Sequence, residues 1–123
     1  MVQLLWVFLG GGLGSVARFG ISKLTAQYFN NFFPVATLIT NVLSCLILIS
    51  LIGFLVEKRI SNQNLELLLL VGFCGGFSTF STFSLETVLL FRTGYTAYAI
   101  LNIALSLASC IGIVFMLSKK ISI

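Results

Sequence analysis

From Gly72 to Ser84 the chain reads Gly-Phe-Cys-Gly-Gly-Phe-Ser-Thr-Phe-Ser-Thr-Phe-Ser, a run of phenylalanines and hydroxyls behind a glycine pair. These residue types share one chemistry, the coordination of a small anion without a formal cation. Aromatic ring edges carry positive partial charge. Phe80 and Phe83 are three apart, so on a helix their rings project from nearly the same face. Hydroxyls at Ser78, Thr79, Ser81, Thr82 and Ser84 surround them, and a helix beginning just past a break would add free amide donors. With twelve phenylalanines in the chain, any one pair is ordinary, and most phenylalanines in an apolar helix face lipid or core. The hydroxyl setting distinguishes this pair. Each glycine costs a helix about 1 kcal/mol against alanine, so the segment is expected to be interrupted at Gly75 and Gly76.

Other polar residues fall inside apolar stretches. Thr37, Asn41 and Ser44 are spaced by four and three and share a helix face, and Asn102, Ser106 and Ser109 form a second stripe with Cys110 beside it. A buried amide in hydrocarbon must find a partner, so these asparagines either staple helices together or contact a permeating species. Glu86, about a turn past Phe83, either lines such a pathway or caps a helix at the interface. Arg18 either snorkels to the interface or supplies positive potential at a vestibule. Glu57 and Glu66 read as solvated.

Enzymatic chemistry is excluded on residue types. The chain has no histidine, no nucleophile paired with a base, no phosphate loop and no metal-binding helix. Cys45, Cys74 and Cys110 are not spaced as a metal motif or disulfide framework and read as small apolar packing residues.

The elements that must position these residues follow from composition. At 59% hydrophobic and 8% charged, with mean hydropathy +1.13, this is an integral membrane protein. Apolar runs long enough to cross about 30 Å of hydrocarbon lie at Leu4 to Phe29, Phe33 to Val56, Leu65 to Phe91 and Tyr95 to Leu117. They predict an all-α fold of four transmembrane helices with a broken third, forming a single domain over residues 1–123. The connectors are short: Asn30-Asn31, Glu57 to Asn64, and Arg92-Thr93-Gly94. The first charged side chain is Arg18, too late for a basic leader, so the first span is expected to be retained.

The net charge of +4 comes with no cluster beyond Lys58-Arg59 and Lys119-Lys120, which are ordinary membrane-end charges, so no nucleic-acid partner is expected. Lys58, Arg59, Lys119 and Lys120 fall on one side of the membrane, Lys23 and Arg92 on the other with Arg18 near the edge. The bias is weak, which leaves open insertion in both orientations and antiparallel self-pairing. A 13.4 kDa chain has little interior for a polar pathway, so an oligomer is expected. The spacing Gly10-x-x-x-Gly14 permits close helix approach, within the chain or between subunits.

Three segments carry a family resemblance: Gly11-Gly12-Leu13-Gly14-Ser15-Val16-Ala17-Arg18-Phe19, Ala36-Thr37-Leu38-Ile39-Thr40-Asn41-Val42-Leu43-Ser44, and Gly72 to Ser84. In this order they resemble the signatures of the Fluc (CrcB) fluoride channels, and the third is highly specific. The resemblance implies an antiparallel, dual-topology homodimer in the cell membrane, with two fluoride pores and a central structural sodium ion. It implies that the ring edges of Phe80 and Phe83 meet fluoride, that Asn41 is the pore asparagine, and that Arg18 lies near the vestibule. It further implies sodium held by the backbone carbonyls of Gly75 and Ser78, and a polar track through Thr37, Thr82, Ser106 and Glu86. Ser78 stands where the family usually has threonine, a change that a backbone ligand tolerates. The resemblance also implies passive export of fluoride. The alternative from another class is a proton-coupled small multidrug exporter, which needs a carboxylate in the first span; that span has none.

Overall fold

A computed structural model of the chain describes residues 1–29 and 32–121; the connector pair Asn30-Asn31 lies outside them. Every regular element among the described residues is helical. Helix α1 spans Val2–Tyr28 and α2 spans Val35–Glu57. A third apolar stretch, Gln63–Arg92, is assembled from α3 (Gln63–Glu66), a π-helical segment (Leu67–Cys74), α4 (Gly75–Phe77) and α5 (Phe80–Arg92). Helix α6 spans Thr96–Ile121. Four stretches of 27, 23, 30 and 26 residues are thus long and apolar enough to cross a bilayer, and their ends lie within four residues of the predicted spans.

The connections are closed by local chemistry. Asn62 Oδ1 accepts the N–H groups of Asn64 and Leu65 at 3.1 and 3.2 Å, capping α3. After α5 the chain turns at Gly94, whose φ of +85° is open to glycine at little steric cost. The Tyr95 N–H then reaches back to the Leu90 carbonyl at 2.9 Å, closing the helix end in Schellman fashion.

The third stretch breaks, but not at the expected place. Gly75 and Gly76 are helical; the interruption falls at Ser78 (φ −77°, ψ 160°) and Thr79 (φ −153°, ψ 117°). The glycines serve packing instead. A Cβ on Gly76 would strike the Gly11 carbonyl oxygen, and one on Gly72 would lie 2.9 Å from the Gly10 Cα. Across the same seam, Gly10 and Gly14 meet the carbonyls of Leu68 and Phe73. The small-residue spacing of α1 therefore serves an intrachain contact with the third stretch, where backbones approach too closely for any side chain.

Much of the interior is polar, beside buried Ile49, Phe77, Phe83 and Leu90, and much of the exterior is apolar. Asn102 and Thr40 are the largest fully buried side chains, joined inside by Thr37, Ser44, Thr87 and Ser106. Phe8, Val16, Phe19, Ile111 and Phe115 face outward. This inversion suits a chain whose solvent is hydrocarbon, because buried polar groups must pair with one another there.

Candidate functional site

The break is held open by one side chain. Asn41, on α2, accepts the Thr79 N–H at Oδ1 (2.7 Å) and donates Nδ2 to the Thr79 carbonyl at 3.1 Å. Its amide thus replaces helical partners that extended residues cannot reach. Thr79 then starts α5: its Oγ1 accepts the Thr82 N–H at 3.2 Å and bonds the hydroxyls of Thr82 and Ser81 at 3.1 and 3.3 Å. Upstream, Ser44 Oγ donates to the Cys74 carbonyl at 3.1 Å, at the end of the π segment. Sequence reasoning identified the Asn41 face and left open whether it staples or lines a pathway; the structure uses it as a staple.

A second staple supports the other half. The Asn102 Nδ2 donates to Thr87 Oγ1 at 3.0 Å, Thr87 Oγ1 donates to the Phe83 carbonyl at 2.7 Å, and Ser106 Oγ donates to Asn102 Oδ1 at 3.3 Å. This chain ties α6 to α5 and fixes the turn that carries Phe83. Thr79 and Thr87 were missed as positioning residues. Thr79 was visible as part of the hydroxyl run; nothing local marks Thr87.

These contacts surround a cavity of about 210 Å³, lined among others by Asn41, Ser78, Thr79, Phe80, Phe83 and Ser106. The Phe80 and Phe83 ring centroids are 5.6 Å apart with planes tilted by 40°. Phe83 is buried at 7% exposure, whereas Phe80 is 74% exposed. On the far side of Thr79 lies a second cavity of about 240 Å³, lined by Arg18, Thr37, Thr82, Ser15, Ser22 and Thr40, with Phe19 and Thr79. Arg18 Nε is buried there without a hydrogen-bond partner. Thr79 lines both cavities.

Two predicted residues line neither of these cavities. Glu86 faces a third space with Phe32, Phe33, Thr93 and Tyr95, and its Oε2 is buried without a partner. Gly75 is exposed, and a Cβ there would meet nothing within 4 Å.

Comparison with known proteins agrees with this architecture. Residues 5–117 match the family described as CrcB-like protein, Camphor Resistance (CrcB). A Coxiella burnetii protein named fluoride-specific ion channel FluC is 43% identical over 111 residues, covering 89% of this chain and 90% of that one. Proteins of the same name from Ruminiclostridium cellulolyticum (42% over 125 residues, 99% and 96% covered) and Flavobacterium psychrophilum (37% over 106 residues, 86% of each) are also similar. These relatives are named as channels, not enzymes, and they share with this chain the length within which its four spans, its break and its polar interior are built. The chain is a multi-pass membrane protein of the CrcB family.

Proposed function

We propose that this chain forms a fluoride-selective channel that lets the ion leave the cytoplasm passively across the cell membrane. One observation carries the reading: Asn41 is pinned to the break while lining the same cavity as Phe80, Phe83 and Ser106. A primary amide has two N–H donors. The Thr79 carbonyl takes one, so the other is left for an ion in the cavity.

Fluoride is small and strongly hydrated, and a pore must replace its water with donors held rigidly at the right size. The Asn41 N–H, the ring edges of Phe80 and Phe83, and the Ser106 hydroxyl, freed from its long bond to Asn102, are those donors. Charge-free coordination keeps binding weak enough for release. Arg18, with Nε unpaired beside Thr37 and Thr82, raises the positive potential of the adjoining cavity and acts as a vestibule. Glu86 belongs to the far end of the track, in the space beside Thr93 and Tyr95.

The pore is completed by a second, antiparallel copy. Support comes from the exposed Phe80 ring and from an accessible area of 8097 Å², against about 6500 Å² for a compact fold of this mass. The donor set at the break also fits a sodium ion between copies. Thr79 N–H is spent on Asn41, which leaves the Gly75 carbonyl without its helical donor, and Gly75 lies on an open face. Hard carbonyl oxygens of Gly75 and Ser78, duplicated by the partner copy, would hold it. Such an ion would offset converging carbonyl dipoles and add fixed positive charge between pores.

The test is fluoride efflux from liposomes carrying Phe80→Ile or Phe83→Ile, each scored against folded, dimeric protein. The reading expects each variant to lose most of its flux, since isoleucine fills space without a positive edge. Undiminished flux in both would remove the ring roles.

A further inference from the structure

The cavity beside the phenylalanines has a feature that fluoride coordination does not use. Cys45 on α2 and Cys110 on α6 both line it, on two helices that pack directly against each other. Neither is oxidised, and each is only partly buried. Cys74 is buried and does not line the cavity.

We infer that Cys45 and Cys110 form a dithiol site for a soft, two-coordinate metal ion, and that occupancy closes the cavity to fluoride. Thiolate sulfur selects soft ions, among them Cu(I), Ag(I) and Hg(II). Among the described residues no three His, Cys, Asp or Glu side chains converge, so a tetrahedral ion such as zinc lacks its ligands while an ion satisfied by two sulfurs does not. On binding, each thiol loses its proton to solvent, two metal–sulfur bonds form, and the ion sheds its water; no electron is transferred. The bridged ion then stands in a space of about 210 Å³, tying α2 to α6 across the wall that carries Asn41 and Ser106. The closure half of this inference rests on the channel reading above; the binding half does not.

The probe is mercuric ion. Full-length protein in detergent is titrated while sulfur-to-mercury charge-transfer absorbance is followed. Wild type and Cys74→Ser are expected to saturate tightly, and Cys45→Ser and Cys110→Ser each to weaken by roughly 100-fold, the loss of one of two thiolate ligands. X-ray absorption of the loaded wild type, which needs no variant, should find two sulfur neighbours. Equal affinity in all four proteins, or a single sulfur neighbour, overturns the site. In liposomes, fluoride efflux through wild type and Cys74→Ser should fall about tenfold with metal, a degree set by how fully the ion plugs the pore, and recover with excess dithiothreitol. The serine variants, each compared with its own metal-free rate, should respond far less. Efflux that persists with metal bound overturns closure. Absence of efflux before any metal is added defeats the channel reading instead, and the titration still decides the thiol site.

Discussion

Asn41 has one task in the structure and a second in the proposed channel, and its amide is large enough for both. Two of its polar contacts hold the Thr79 backbone; the remaining N–H is the one proposed to meet the ion. Asn41→Ala removes all three and strands a buried N–H and a buried carbonyl, each costing about 1–3 kcal/mol. The expected outcome is fluoride efflux reduced by roughly 10- to 100-fold or more, with dimer yield in size-exclusion chromatography lowered but not abolished. Wild-type efflux in Asn41→Ala would mean that the break holds itself. The face carrying Thr37, Asn41 and Ser44 was legible from spacing, because polar residues in hydrocarbon must turn inward. Which atom each would meet was not. Asn41 and Thr79 are 38 residues apart, and Thr87 meets Asn102 across 15; periodicity within one helix contains neither distance. Nor does any sequence spacing reveal that Cys45 and Cys110 line one cavity.

At the scale of elements, the break and the seam divide the work that sequence reasoning assigned to one glycine pair. The extended backbone at Ser78 and Thr79 exists because Asn41 satisfies it, whereas Gly76 exists because α1 lies against it. Glycine scarcity of side chain and glycine flexibility look identical in a sequence; only the neighbour distinguishes them. The spans themselves were legible, because hydropathy over some twenty residues is a property of the segment alone. The seam makes a graded prediction. Gly10→Ala and Gly14→Ala place a methyl against backbone carbonyls of the third stretch and should cost roughly 1–3 kcal/mol or more, the usual penalty of overpacking. Gly12 is exposed and meets nothing within 4 Å, so Gly12→Ala should be neutral or gain up to about 1 kcal/mol of helix propensity. Thermal unfolding in detergent separates the two classes. Equal stability at Gly10, Gly12 and Gly14 would contradict the packing described.

The whole molecule is unfinished on one side. Its interior is stitched by Asn41, Asn102, Thr79 and Thr87, while Phe80 and the open face at Gly75 are exposed. The proposed antiparallel copy would cover that face, and the weak charge bias between the two membrane sides permits both orientations. In a background with Cys45, Cys74 and Cys110 changed to serine, Gly75→Cys is expected to give a disulfide-linked dimer on mild oxidation. Monomer alone on a non-reducing gel would place the interface elsewhere. The central claim, a pore that this chain builds from itself and that prefers fluoride, is tested most directly by efflux. Purified protein is reconstituted in liposomes loaded with fluoride and chloride, and both ions are followed with selective electrodes after valinomycin is added. The account predicts rapid fluoride release with chloride retained; release of both ions together, or of neither, would contradict it.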